Sequence, residues 1–560
     1  MSKRKISELE IDTDKVDNNY QAIYEPLLKK PKYTNNQEQN WISGTAVKNY
    51  LLNDPALDWL DLYYETNSKK IQSNYTKAKL QKNNKNFNNN YLFNLGYKFE
   101  DKIYKDLLNK FPEECVKLNH TIKSSQVSQV EFNKTICHML KQTPIILQAT
   151  LLDNEFKLRG IADIIIRSDY INKLFKEPIL KDSEIYHNKK LYYLVIDIKY
   201  ASMTLCANGK FIRNQDRYKA YKGQLLIYNL MVGMIQKFIP RYCYIMAKNW
   251  KIDSTINPSC GSSCYDLLGV IDYRTFDNKY IKMTQNAIDW VRRVRKYGDK
   301  WDIYNPHINE LCLNASNTID DKWSSVKREI LQNTQDISCV WNLSPEHRNK
   351  AREQNIIKYS DPRLTTDILG LSQNNNRTKV IQEILKINQQ NTINILPNKI
   401  KNKKLNWNKQ YPTDFYIDFE TINKTLLATD IDINNSGDFD DYIFMIGIGF
   451  INNNNWCYYN LTADEITKKE EDKLINEMVN FFIKQKKLLD PEDKYPIRLF
   501  HWSPAEQTHF NRVVDRNSQV LDKLYNQDVH WIDLCDIFIK TPIVVRGAVT
   551  FKLKDIAKAM

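Results

Sequence analysis

LRGIADIIIRSD at 158–169 and KKLYYLVIDIKY at 189–200 are the stretches on which the reading of this chain turns. Each is an apolar run of β-type residues with one acid inside it, Asp163 in the first and Asp197 in the second. Side chains alternate along a strand, so Asp197 and Lys199 share one face and Ile198 takes the other. The second run is apolar almost from end to end, which predicts a buried central strand. An acid and an ammonium inside such a run are costly unless paired. Two carboxylates on neighbouring strands, with an ammonium beside them, can hold Mg²⁺ and steady a developing negative charge.

The flanking text adds residues in a fixed order. YLFNLGYKFEDKIYKDLLNKF (91–111) carries Phe99, Ile103, Tyr104, Leu107, Leu108 and Phe111 at helical spacing, with Glu100 in the apolar stripe. An acid there is either a stripe-edge residue or one aimed inward at a metal. PIILQATLL precedes the first strand, and RYKAYKGQLLIYNLMVGMI (217–235) follows the second as a helix that puts Tyr221, Gln224 and Tyr228 on one face. RYCYIMAK (241–248) reads as a further strand.

GYKFED, GIADIIIR, VIDIKY and YKGQLLIYNLMVG together resemble the PD-(D/E)xK nuclease superfamily in its RecB-like branch, over roughly residues 41–300. The resemblance implies a restriction-endonuclease-like mixed sheet flanked by helices and Mg²⁺- or Mn²⁺-dependent phosphodiester hydrolysis. It implies Glu100, Asp163 and Asp197 as metal ligands, Lys199 handling water and charge, and Gln224 and Tyr228 supporting the site. The polar insertion at 171–190 is expected in a loop clear of the site. The cysteine ligands of the iron–sulfur members of that branch are not evident. Cys260 and Cys264 form the one tight pair among ten cysteines, with no two further ligands at matching spacing.

Farther on, DFYIDFETI places Asp418 and Glu420 on one strand face, followed by the strand YIFMIGIGF (442–450). HWSPAEQTHF offers Glu506 and WIDLCDIF offers Asp533, the latter open to a structural reading. These resemble an RNase H-like, DEDD-type 3′–5′ exonuclease domain, which would bind two metals through four acids. The resemblance implies a last acid some tens of residues beyond FKLKDIAKAM, where the sequence stops at Met560, so the domain reads as truncated and its activity stays open.

The expected organisation is a disordered basic tail (1–40), a RecB-like nuclease domain (41–305), a helical middle module (306–400), a basic linker (401–412) and the RNase H-like domain (413–560). Fold class is therefore α/β. The 560 residues carry a net charge of +14, which favours a polyanionic partner. Arg213, Arg217, Tyr218, Tyr221 and Lys222 cluster beside the first constellation as candidate nucleic-acid contacts, and Arg292, Arg293, Arg295 and Lys296 could extend the groove; for both sets a structural or solvated role is the competing reading. No apolar run approaches the roughly 18–20 residues of a membrane span, so no membrane partner is expected. Scattered cysteines suit an intracellular protein, nuclear or cytoplasmic, and Lys3-Arg4-Lys5 and Lys29-Lys30-Pro31-Lys32 could serve nuclear import. The expected activity is a metal-dependent nuclease acting on ends or single strands of DNA, with RNA left open. The alternatives are an inactive nucleic-acid-binding scaffold, or a 3′–5′ exonuclease working through the C-terminal domain.

Overall fold

A computed structural model describes residues 24, 27, 41–71, 85–118, 127–215, 217–254, 259–390, 392–423, 441–516 and 527–560. The tail expected at 1–40 lies outside these residues except for Tyr24 and Leu27. The fold is mixed α/β, with three sheets flanked by helices. The described chain divides into two compact units, up to Ile330 and from Leu331.

The first unit holds β1 (Ile42–Ser43), α1 (Ala56–Ile71), α2 (Lys85–Lys110), β2 (Cys115–Lys117), α3 (Gln129–Leu140), β3 (Ile145–Asp153), β4 (Leu158–Arg167), β5 (Tyr193–Leu205), α4 (Tyr218–Gln236), β6 (Tyr242–Ile252), β7 (Ser259–Gly261), β8 (Gly269–Asp272) and α5 (Lys279–Tyr297). Its eight-stranded sheet runs β2-β3-β4-β5-β6-β7, with β1 added to β4 and β8 to β6. The meander β3-β4-β5 is antiparallel, and β6 joins β5 in parallel through the crossover helix α4. The apolar run read at 191–200 is the middle of this sheet, as a 13-residue strand. Leu95, Phe99, Ile103 and Leu107 of α2 pack on Ile164, Ile166, Leu194, Ile196 and Ile198.

Helix α1 runs to Ile71 and α2 starts at Lys85, so the Asn- and Lys-rich text at 66–90 is helical at both described ends; 72–84 lie outside the described residues. The insertion at 171–190 is irregular, as its polar text implies, yet Ile171, Phe175 and Leu180 are buried in the same core as α2. Apolar residues too sparse to show a period still found a surface to cover.

The second unit holds α6 (Pro345–Glu353), α7 (Asn376–Asn388), β9 (Ile395–Leu396), β10 (Asp414–Asn423), β11 (Asp441–Asn452), β12 (Asn455–Thr462), α8 (Lys468–Leu489), β13 (Ile497–His501), α9 (Ala505–Arg516), β14 (Val529–Asp533), α10 (Leu534–Lys540), β15 (Val544–Val545) and α11 (Leu553–Ala559). Its five-stranded sheet has the order β12-β11-β10-β13-β14, antiparallel on one side of β10 and parallel on the other. Phe415, Ile417 and Phe419 face α8 on a core with Ile446, Ile448, Leu474, Met478 and Phe482.

The helices read as a separate middle module share one core with the chain's end. Val340, Ile356, Leu369, Val380 and Ile384 pack with Leu396, Val544 and Phe551, and β9 pairs with β15. The basic stretch 401–412 is likewise held in place. Arg498, wholly buried on β13, donates to Asp414 at 2.6 and 2.7 Å and to the carbonyls of Leu405, Asn406 and Lys409 at 2.9, 3.0 and 2.6 Å. Its guanidinium also lies 3.7 Å from the Tyr411 ring centre. A planar cation with five donors suits such a multiple partnership. Arg498→Met strands the Asp414 charge and three carbonyls, and should cost about 3–5 kcal/mol of the second unit's stability. A urea titration followed by far-UV circular dichroism reads this; an unchanged midpoint would contradict it.

Candidate metal and nucleic-acid site

The β4–β5 ladder pairs Arg167 with Tyr193 down to Ile164 with Ile196, and its paired rungs end there. Asp163 and Asp197 are the next residues. Instead of a carbonyl, the Asp163 carboxylate takes the Ile198 N–H, at 2.7 Å. Asp197 is 1% exposed; its Oδ1 has no hydrogen-bond donor, and its Oδ2 has only the Lys199 ammonium, at 2.6 Å, which balances the carboxylate. Lys199 also sits 5.0 Å from the Tyr221 ring centre.

Glu100 enters this neighbourhood from α2. Burial, then repulsion from Asp197, pushes its carboxyl up to about 7 against the pull of Lys199. Burial, followed by Asp197 and Glu100, likewise raises Asp163 well above the usual carboxylate range. Burial pulls the Lys199 ammonium down, but Asp197 and Asp163 outweigh it and hold it above its ordinary value. Glu100, Asp163, Asp197 and Lys199 therefore form one electrostatic group. Ionised together, the three acids would carry more negative charge than Lys199 balances; the raised Glu100 and Asp163 take up that excess with protons, which a bound cation would displace.

The crossover helix closes the group. Gln224 Nε2 donates to the Tyr228 hydroxyl at 3.2 Å, and burial raises Tyr228, with Asp197 and Asp163 adding to it. The Tyr228 ring occupies the space a Cβ at Gly160 would fill, so β4 needs a glycine three residues before Asp163.

The test for a divalent metal has two sides. The donors are all carboxylate oxygens, the set that suits Mg²⁺ or Mn²⁺, and Asp197 offers one oxygen without a partner and one held only by Lys199. Among the described residues, however, no three His, Cys, Asp or Glu side chains stand grouped as a metal cage. Lys199 lies against Asp197, and one Asp163 oxygen is turned to the backbone. The chemistry fits a metal, and side-chain movement must complete the cage.

Gln148 escapes sequence reading. The β3–β4 register sets it opposite Asp163, and its φ is +52°, a left-handed conformation inside a strand. Its Oε1 is buried without a partner, while its side chain reaches the buried Tyr104 hydroxyl. Burial raises Tyr104 far above its ordinary value, with Asp163, Glu100 and Asp197 adding to it. Only a Gly or Asn there would have signalled the turn of the backbone.

The expected nucleic-acid contacts divide. Arg217 is exposed, and Arg213 is exposed and ion-paired with Asp253. Lys222 corrects the reading: it is wholly buried, 2.6 Å from Asp277, and donates to Ile212 O and Asn214 Oδ1, each at 2.8 Å. It has no surface from which to reach a phosphate. Tyr218 is also buried, its hydroxyl donating to Ser202 O at 2.7 Å, while Tyr221 is half-buried under Lys199. On α5, Arg292 and Arg295 donate to the carbonyls of Phe156 and Trp41, each at 2.7 Å, so they brace the fold. Cys260 is exposed on β7 and Cys264 buried, and both are free thiols.

In the second unit, Asp418 and Glu420 are exposed on one face of β10. Burial, then Glu506 and Glu420, raises Asp418 above its usual range. Glu506, at the start of α9, has a buried Oε2 without a hydrogen-bond partner, 3.6 Å from His501 Nδ1. His501 Nδ1 instead donates to Ser503 O at 2.6 Å, and Ser503 has φ +107°. Asp533 caps α10, its Oδ1 accepting from Asp536 N at 3.0 Å and Ser503 N at 3.2 Å. Asp418, Glu420 and Glu506 thus interact, while Asp533 has a structural task that leaves its Oδ2 over.

Comparison with family models, with curated proteins and with solved structures finds no match to this chain. Among the described residues no helix is long and apolar enough to cross a membrane.

Gln148→Gly removes the left-handed strain and should stabilise the first unit by roughly 1 kcal/mol, read as a higher urea midpoint. A lower midpoint would mean that the amide's packing outweighs the strain.

Proposed function

We propose that this chain is a divalent-metal-dependent nuclease whose working centre is Glu100, Asp163, Asp197 and Lys199. The observation that carries the reading is the buried Asp197 carboxylate, whose Oδ1 has no hydrogen-bond donor and whose Oδ2 has only Lys199, facing two further acids. A purely structural aspartate at that depth would be expected to have its oxygens satisfied. The order of elements also supports the resemblance to the RecB-like PD-(D/E)xK nucleases: helix with Glu100, strands with Asp163 and Asp197, helix with Gln224 and Tyr228.

Glu100, Asp163 and Asp197 would hold Mg²⁺ or Mn²⁺, which when bound neutralises phosphate charge and acidifies water. Lys199 stays protonated beside Asp197, so its part is to hold positive charge against the anionic phosphate rather than to take a proton. Gln224 and Tyr228 fix the α4 side of the pocket, and the hydroxyl of Tyr228 keeps the amide oriented. The net charge of +14 and exposed Arg217 favour a polyanionic substrate, for which DNA is our reading.

The second unit supports a further metal-binding acid group at Asp418, Glu420 and Glu506, resembling the DEDD-type exonucleases. The capping role of Asp533 gives it fewer free donors than the resemblance implies.

Labelled single- and double-stranded DNA incubated with the full chain should be cut with Mg²⁺ or Mn²⁺ and not with EDTA. Asp197→Ala and Lys199→Ala should each lower the rate by at least about 100-fold, roughly 3 kcal/mol of transition-state stabilisation. Binding without cutting under every metal condition would leave the scaffold reading. Cutting lost with Asp418→Ala but kept with Asp197→Ala would move the activity to the second unit.

A further inference from the structure

One face of the five-stranded sheet carries aromatic rings beside its acids. On β12, Trp456, Tyr458, Asn460 and Thr462 point away from the α8 core; Trp456 is 61% exposed and Tyr458 66%. They pair with Ile451, Gly449, Gly447 and Met445 of β11, and β11 in turn pairs Gly447 with Asp418 and Met445 with Glu420. The rings lean toward the acids. The Trp456 indole lies over Gly449, in the space a Cβ would fill, and a Cβ at Gly447 would meet the Tyr458 hydroxyl at 2.8 Å. Tyr416 extends the row, its ring centre 5.4 Å from that of Trp456 and 5.2 Å from that of Phe500.

Elsewhere this face is covered. Phe500 and Tyr416 pack with Leu405, Trp407, Ile532 and Ile537. Among the described residues, the half made by β11 and β12 presents large rings to solvent, with glycines beneath them. Burying such rings is worth far more than leaving them wet, and monomeric proteins rarely expose them in a contiguous row without use.

We propose that this face is a stacking platform for single-stranded nucleic acid, feeding a strand toward Asp418 and Glu420. Residues two apart on a strand stand about 6.8 Å from each other. That is twice the 3.4 Å per base of a duplex strand, so Trp456 and Tyr458 match bases drawn apart, as in an extended single strand. Base stacking on aromatic rings is tolerant of sequence. The platform rests on the reading of this chain as a protein that handles nucleic acid. It does not require that the second unit cut.

The test is binding of fluorescein-labelled oligo-dT and oligo-U by the full chain in EDTA, read by fluorescence anisotropy. Trp456→Ala with Tyr458→Ala should weaken binding at least about tenfold. Trp456→Phe with Tyr458→Phe should restore it to within about threefold of wild type, and Tyr186→Ala, an exposed aromatic in a first-unit loop, should change nothing. If wild type binds and the double alanine variant binds equally well, the platform is wrong while the nuclease reading stands, and the rings then suit a protein partner. If wild type binds neither oligonucleotide, the platform is wrong, and cutting of labelled DNA with Mg²⁺ or Mn²⁺ decides the nuclease reading separately.

Discussion

Two carboxylates and an ammonium, with Asp197 fully buried, stand where β4 and β5 stop pairing and set the terms for the first unit. A strand ladder satisfies its own polar groups, so a break inside a sheet must be filled. Here Asp163 fills it by taking the Ile198 N–H, which fixes that side chain between the strands. Asp197 then has no backbone donor left, and Lys199 is the charge that makes its burial tolerable. Such a pair is poor evidence of stability, since the desolvation penalty rivals the attraction. Its burial is a cost to the fold rather than a source of its stability. Glu100, pushed up to about 7 by burial, adds to that cost.

The surroundings keep these groups in place. Helix α4 lies against the sheet closely enough that Gly160 must be side-chain-free under Tyr228. Lys222, one turn into α4 on the side of Tyr218, anchors the helix through Asp277 rather than reaching solvent. In the second unit the buried Arg498 does comparable work, tying Asp414 at the start of β10 to the preceding stretch. Strand β10 then carries Asp418 and Glu420 outward from a fixed base.

Much of this was readable in the chain. A continuous apolar run with an acid and a lysine two residues apart could only be a strand with both on one face, and the 2.6 Å contact is its outcome. Helical spacing around Glu100 and Gln224 placed both on helices flanking the sheet. What escaped depended on partners distant in sequence. Nothing near Lys222 announces Asp277, 55 residues on. The left-handed φ of Gln148 leaves no mark when the residue is neither Gly nor Asn. For Asp533 the text left both a ligand and a structural reading open, because an acid ending a strand and one capping a helix look alike; the structure shows it capping α10. The helices at 337–387 read as a separate module because their core partners Val544 and Phe551 lie more than 150 residues away.

The central claim is that Glu100, Asp163 and Asp197 take up a divalent cation that Lys199 alone does not replace. Crystals of the full chain soaked in Mn²⁺ and measured at the manganese absorption edge test it directly. The account predicts an anomalous peak bonded to Asp197, with Glu100 or Asp163 completing its ligands. No peak at Asp197, with the Lys199 pair intact at saturating Mn²⁺, would contradict it.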